Sequence, residues 1–144
     1  MTVDRIALIS DVHGNLTALR AVLDDIAARG ITRIVNLGDF VGKGPRGQQA
    51  ADLCREVCEV NLRGNWEDFL PAEQPQYRDP SQWWWREELR PDQLPWLRTL
   101  PLSHDLGSAV DGCDFCTPAL PMCTPRCSPT SRRWSSTGCS PPRL

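Results

Sequence analysis

The sequence has no long apolar run and few histidines. No stretch of the 144 residues approaches the roughly 18–20 apolar residues that a membrane-spanning helix needs. Residues 1–6 place no basic region ahead of a long apolar stretch, so the sequence gives no sign of a secretory signal. We therefore expect a soluble, cytoplasmic protein with no membrane partner.

The charge balance is close to neutral. A single lysine and fifteen arginines stand against 18 acidic residues, for a formal net charge of −2. This balance argues against dedicated nucleic-acid binding, which calls for a strongly basic surface. With 40% hydrophobic and 24% charged residues, the chain can form one domain with a modest core. The oligomeric state does not follow from these numbers.

The composition changes sharply near residue 109. Residues 1–109 carry 16 acidic and 12 basic residues, whereas residues 110–144 carry two acidic and four basic ones. The last 35 residues also hold five of the seven cysteines and six of the thirteen prolines. Such a segment buries too little apolar surface to offset its ordering entropy. We expect a folded N-terminal part over 1–109 and an irregular tail over 110–144 that does not fold on its own.

Hydrophobic periodicity in the first part predicts an α/β fold. Strands and helices alternate, which favours a parallel sheet covered by helices on both faces. Asn15 is a suitable N-cap for the first helix, and Gly30 a suitable stop. Residues 66–90 contain three prolines and are expected to be irregular. The predicted strands are 6–9, 31–37, 59–62 and 102–110, and the predicted helices are 16–29, 48–58 and 92–100.

Polar residues follow each of the first three predicted strands. Asp11 and His13 follow the first, Asp39 the second and Asn65 the third. In a parallel sheet the carboxyl ends of the strands lie at one edge, where ligands bind. Each residue alone is more simply a turn residue or helix cap, but three such groups in order indicate a site. Two carboxylates, an imidazole and an amide oxygen suit Mn, Fe, Ni or Zn.

These groups carry a specific resemblance. Asp11-x-His13, Gly38-Asp39 and the run 64–67 (Gly-Asn-Trp-Glu) resemble the motif blocks of calcineurin-like metallophosphoesterases, most closely the small single-domain bacterial and archaeal phosphodiesterases. The resemblance covers roughly residues 5–104. It implies an αββα sandwich, present here only in part, and hydrolysis of small-molecule phosphoesters by a hydroxide bound between two divalent metal ions. Among these metals, manganese is favoured.

The same resemblance implies ligand roles. Asp11 and His13 would bind the first metal, Asp39 would bridge both, and Asn65 would bind the second. Lys43 lies where related phosphatases and diadenosine tetraphosphate hydrolases carry arginine, so it is a candidate for binding a substrate phosphate; a solvated lysine in a glycine-rich loop fits equally well. The run 38–45 also makes a diadenosine polyphosphate hydrolase an alternative.

The pattern departs from the family in two places. Trp66 replaces the family's histidine after asparagine, and an indole cannot donate a proton to the leaving group, so we expect hydrolysis of poor leaving groups to slow by roughly 10²–10⁴. No histidine follows His104, which is itself more simply a surface strand residue. The family's later histidine ligands are therefore missing. We expect weak metal binding and little or no activity from the 144-residue chain.

The cysteine-rich tail has two interpretations. One choice of codons for residues 112–120, read in another frame, encodes Leu-Arg-Leu-Leu-His-Ala-Ser-Pro, which matches a missing family block and favours a frameshift near Val110. Alternatively, the pairs Cys113/Cys116 and Cys123/Cys127 have zinc-ligand spacing. The chain would then be a non-catalytic metal-binding protein with a zinc-knuckle tail.

Overall fold

The computed structural model describes residues 5–72 and 79–106, together with the backbone of 114–116. Within these residues, strands and helices alternate as far as residue 61 and short helices follow. The strands are β1 (Ile6–Ile9), β2 (Arg33–Asn36), β3 (Val60–Asn61), β4 (Ser103–Asp105) and β5 (Asp114–Cys116). The helices are α1 (Leu16–Ala28), α2 (Gly47–Val57), α3 (Asn65–Phe69), α4 (Pro80–Glu87) and α5 (Gln93–Thr99).

The first three strands form a parallel sheet in the order β1-β2-β3. Ile6 pairs with Arg33 at the start of the β1–β2 register, and Val35 pairs with Val60 between β2 and β3. Because α1 and α2 connect successive parallel strands, the loops after the strands lie at a common edge. The predicted mixed α/β fold with a parallel sheet is confirmed.

The boundaries of α1 follow from local chemistry. Asn15 caps the helix by accepting a hydrogen bond from the Ala18 amide at 3.1 Å. Gly30 stops it with φ +67°, a conformation that costs glycine little. Leu19 and Ile26 are buried on the inner face. The predicted cap and stop are both confirmed.

The core lies between the sheet and the helices that cover it. Cys54 on α2 is fully buried and Cys58 at the end of that helix is half-buried, so both act as small core side chains. Contact with the Cys58 thiol and burial raise the pKa of the Cys54 thiol. Among the described residues, the fully buried large apolar side chains are Val35, Phe40, Val41, Leu62, Leu70 and Leu97.

The expectation that residues 66–90 are irregular is wrong. α3 and α4 lie in this range, and proline initiates α4 because it occupies the first helical turn, where no backbone donor is needed. Asp79 caps α4 by accepting from the Ser81 amide at 2.8 Å.

In the described part of the chain, no helix combines the length and apolar character needed to cross a membrane.

A second, two-stranded sheet follows the helices. β4 pairs antiparallel with β5, and His104 lies opposite Phe115 in the register. His104 is thus a strand residue, as expected, although the strand is shorter than predicted. The division of the chain at residue 109 stays a prediction, as does the frameshift. The paired cysteines proposed as zinc ligands fall outside the residues whose side chains are described.

Candidate metal centre

Three loops at the carboxyl ends of the parallel strands bring the predicted ligands together. One potential ligand atom from each of Asp11, His13 and Asp39 lies within 4.8 Å of the other two. The distance from His13 Nε2 to Asp11 Oδ1 is 3.5 Å. Asp11 is exposed, whereas His13 and Asp39 are half-buried. The arrangement presents two carboxylates and one imidazole to a shared point at the protein surface.

The backbone at this site has an unusual conformation. In the described part of the chain, four non-glycine residues have a positive φ: Asp11 at 56°, His13 at 47°, Asp39 at 58° and Lys43 at 59°. Three of them are the clustered side chains, and the fourth was the predicted phosphate-binding residue. Left-handed non-glycine residues concentrate at functional sites because surrounding structure must hold them there. Lys43 therefore shares a structural signature with the candidate ligands.

Backbone contacts fix the loops against one another. The amides of Asp11 and His13 donate to the carbonyls of Gly38 and Asp39 at 3.1 and 2.9 Å. Gly64 lies so close that an added Cβ would be 2.2 Å from Asp39 Oδ1. Glycine at this position lets the third loop approach the Asp39 carboxylate directly.

Asn65 contacts the Asp39 carboxylate through its side-chain amide. With Nδ2 towards Asp39, the amide donates to Oδ2 at 2.7 Å and to Oδ1 at 3.2 Å. In the other orientation, the Asn65 side-chain oxygen faces both carboxylate oxygens of Asp39. A cation between these three oxygens would stabilise that arrangement. In either orientation the Asn65 side chain lies directly beside the Asp39 carboxylate.

His13 is oriented by its second ring nitrogen. Its Nδ1 lies 3.3 Å from the Val41 carbonyl, and Lys43 Nζ lies 3.0 Å from its Nε2. Because an ammonium only donates, Nε2 must accept, which leaves Nδ1–H to face the carbonyl. This tautomer presents the Nε2 lone pair to a cation, as in histidines that bind metals. Lys43 thus places a positive charge beside the His13 nitrogen that has a free lone pair in this tautomer.

Glu67, to which the sequence analysis gave no role, lies beneath the site. It is fully buried at 0% exposure and its carboxylate accepts four backbone hydrogen bonds. Oε2 accepts from Asp39 at 2.7 Å and Gly64 at 2.9 Å, and Oε1 from Phe40 at 3.0 Å and Val41 at 3.2 Å. Burial raises the pKa of Glu67 to about 7, against the lowering effect of the backbone hydrogen bonds. The Glu67 side chain thus joins the loop after β2 to the loop after β3.

Trp66 forms an aromatic wall beside the cluster. Its ring meets His13, Phe69 and Trp85 edge to face, with centroid distances of 6.0, 5.8 and 5.3 Å. Lys43 Nζ lies 5.5 Å from the centroid of the same ring. The indole that replaces the family's histidine is therefore packed against a candidate ligand.

Comparison with known proteins agrees with this geometry. The family model for calcineurin-like phosphoesterases matches residues 4–118. The chain belongs to the calcineurin-like phosphoesterases. This family consists of metal-dependent hydrolases, which accounts for the cluster of two carboxylates and an imidazole.

Relatives of this phosphoesterase chain are longer than it is. An uncharacterized protein from Methanocaldococcus jannaschii is 35% identical over 107 residues, covering 71% of this chain and 44% of the relative. The crystal structure of a metallophosphoesterase from Sphaerobacter thermophilus matches with 33% identity and a TM-score of 0.62, covering 72% of this chain and 44% of that one. The chain thus spans less than half the length of these relatives.

A third similarity concerns the fold alone. A crystal structure provisionally named as a diadenosine tetraphosphatase is 22% identical, with a TM-score of 0.57, and the match covers 71% of this chain and 45% of that one. At this identity the likeness confirms the metallophosphoesterase fold and does not assign a substrate.

The structure brings together all four predicted ligand positions and Lys43. It adds Glu67, which the sequence signalled only as an acidic residue following Trp66.

Proposed function

We propose that this calcineurin-like phosphoesterase binds divalent metal through Asp11, His13, Asp39 and Asn65 and hydrolyses phosphoesters of small molecules. The observation that carries the proposal is the convergence of the first three side chains within 4.8 Å from two separate loops. All three have left-handed backbone conformations, so the loops are shaped around this cluster.

The donor set supports two metal positions that share Asp39. The Asp39 carboxylate lies within 4.8 Å of potential ligand atoms of Asp11 and His13. It also contacts the side-chain amide of Asn65. A carboxylate has two oxygens and can bridge two ions, which an amide or imidazole does not do readily. When bound, two such ions lower the pKa of water and stabilise the attacking and leaving oxygens of a phosphoryl group. Manganese is our preferred metal, because mixed nitrogen and oxygen ligands accommodate it.

The chain's own residues limit the reaction at the leaving group. Lys43 carries an ammonium to the mouth of the cluster, where it can donate to a non-bridging phosphate oxygen. Trp66 occupies the place of a proton donor and cannot protonate an alkoxide. We therefore propose that esters with stable leaving groups, such as nitrophenyl esters, are hydrolysed and that alkyl esters react slowly.

The test compares two aspartate-to-asparagine variants. Asp39→Asn removes the shared carboxylate, whereas Asp24→Asn makes the same change on the exposed face of α1. Calorimetric titration with Mn²⁺ is expected to show a loss of affinity of at least about 100-fold for Asp39→Asn, because even supporting residues cost 10–100-fold. The Asp24 variant should bind as the parent does.

Hydrolysis of bis(4-nitrophenyl) phosphate with Mn²⁺ supplies the second measurement. We expect slow turnover in the parent and in Asp24→Asn, and none in Asp39→Asn. Equal Mn²⁺ affinity in all three proteins would refute the metal centre. Metal binding that depends on Asp39 but gives no turnover would refute the hydrolase and leave a non-catalytic metal-binding protein.

A further inference from the structure

Trp66 and Lys43 form a pair at the mouth of the metal centre. The Lys43 ammonium lies 5.5 Å from the centroid of the Trp66 ring, within the range of a cation–π contact. It also lies 3.0 Å from His13 Nε2. From these contacts we infer that Trp66 is a positioning residue: its indole face holds the Lys43 ammonium in place as the binding site for the phosphate group of the ester. The inference rests on the proposed function and names a part of the same site.

The indole itself is fixed from several sides. Phe69 and Trp85 meet its ring nearly perpendicular, at interplanar angles of 84° and 82°, and His13 does so at 83°. On a further side the Gly42 backbone is so close that an added Cβ would lie 2.3 Å from Cε3 of Trp66. A ring held in this way cannot move away from the cation, so it defines the ammonium's position.

The backbone of Lys43 supports the same assignment. Lys43 is an exposed residue with φ 59°, a conformation it shares with the three clustered ligands. Only a few per cent of non-glycine residues adopt a positive φ. The conformation is expected when the loop directs a particular side chain to a particular place.

Of the two groups that contact the Lys43 ammonium, the Trp66 indole is the one that a metal would leave free. If His13 held a divalent ion through Nε2, the lone pair that accepts from Lys43 would be used by the ion. The ammonium would keep its contact with the face of Trp66. The pair would then offer a positive charge to an oxygen of the phosphate.

A double-mutant cycle on phosphate binding tests this inference. The probe is inorganic phosphate, titrated into the full chain by calorimetry with and without Mn²⁺. Lys43→Met is expected to weaken binding about 10-fold or more, as for the loss of a hydrogen bond to a charged group. Trp66→Leu should weaken it about two- to five-fold, the range of an exposed cation–π contact. The double variant should bind no more weakly than Lys43→Met alone.

Two further variants separate positioning from folding. Trp66→Phe keeps an aromatic face and should bind phosphate more tightly than Trp66→Leu. Trp84→Leu makes the same change at an indole that is 49% exposed on α4, and should bind as the parent does.

Several results would overturn the inference. The first is that the losses of phosphate affinity in Trp66→Leu and Lys43→Met multiply in the double variant. The second is that Lys43→Met does not change phosphate affinity. The third is that Trp66→Phe and Trp66→Leu bind phosphate equally. The Mn²⁺ affinity of Asp39→Asn judges the proposed metal centre separately, so failure of one proposal is distinguishable from failure of the other.

Discussion

Replacing Glu67 with glutamine removes one of the two oxygens that join the loops of the metal centre. In the parent, each carboxylate oxygen accepts two backbone amides: Oε2 those of Asp39 and Gly64, and Oε1 those of Phe40 and Val41. Glutamine keeps one acceptor oxygen and places an NH₂ group where the other stood. Two buried backbone donors then face a donor, and no water reaches a side chain with 0% exposure.

The size of the effect follows from the two lost acceptor contacts. A buried polar group left without a partner costs about 1–3 kcal/mol, so two cost about 2–6 kcal/mol. A small domain has a total free energy of unfolding of about 5–15 kcal/mol. For a folded unit of about 100 residues, 1 kcal/mol shifts the melting temperature by about 4 °C. We expect Glu67→Gln to lower the melting temperature by about 8–24 °C.

Thermal unfolding followed by circular dichroism measures this shift. The scan is made at pH 8.5, where the Glu67 carboxyl, with its pKa raised to about 7 by burial, is ionised in the parent. Because burial disfavours the ionised form and glutamine carries no charge, the expected shift in melting temperature lies towards the lower end of this range. Glu87→Gln on the exposed end of α4 is the matched control and should stay within about 2 °C of the parent. A melting temperature for Glu67→Gln within the same margin would refute the reasoning. At a temperature where the variant is folded, its Mn²⁺ affinity should fall about 10–100-fold, because the Asp39 loop loses its anchor.

Three other substitutions have definite expected outcomes. Gly42→Ala should destabilise the chain more than Gly30→Ala, as measured by urea unfolding. Both glycines have a positive φ, but an added Cβ meets Trp66 at Gly42, whereas nothing lies within 4 Å of it at Gly30. Equal losses of stability would contradict this prediction. The Arg90 guanidinium holds the pKa of Asp52 below its usual value, so the pair stabilises the fold above that value and the contribution is lost as pH falls through the lowered pKa. Asp52→Asn should therefore cost about 0.5–1 kcal/mol at pH 7, a small value because the pair is partly exposed, and nothing near pH 2; a difference independent of pH would contradict it. Trp66→His should raise kcat for alkyl phosphoesters by about 10²–10⁴-fold and change kcat for nitrophenyl esters far less, measured as initial rates with Mn²⁺. Equal changes for the two kinds of ester would exclude a proton-donor effect.

Local patterns predicted the elements that positioned the site. The predicted bounds of β1 are those of the strand in the structure, and Asn15 caps α1 as its side chain allows. These features depend on neighbours in sequence. The same is true of the glycines that precede Asp39 and Asn65, since a sharp turn after a strand has a local signature.

Features that depend on distant contacts were not predicted. α4 does not follow from the sequence pattern because the three prolines of residues 66–90 indicate breaks, although Pro80 after the capping Asp79 is a good helix start. The role of Glu67 was missed because a buried carboxylate needs donors from another loop, 26 to 28 residues away for Asp39, Phe40 and Val41. A glutamate in the first turn of a five-residue helix gives no hint of such partners.

The left-handed residues of the site have a consequence for the stability of the chain. Each of the four non-glycine residues at positive φ costs about 1 kcal/mol relative to an ordinary backbone conformation. Glycine adopts that conformation without steric penalty, so part of this cost would be recovered by glycine at any of these positions, at the loss of the functional side chain. A glycine substitution at any one of these four positions should therefore relieve the backbone while it removes the side chain. The fold holds Asp11, His13, Asp39 and Lys43 on two loops at a cost in stability that glycine would not carry.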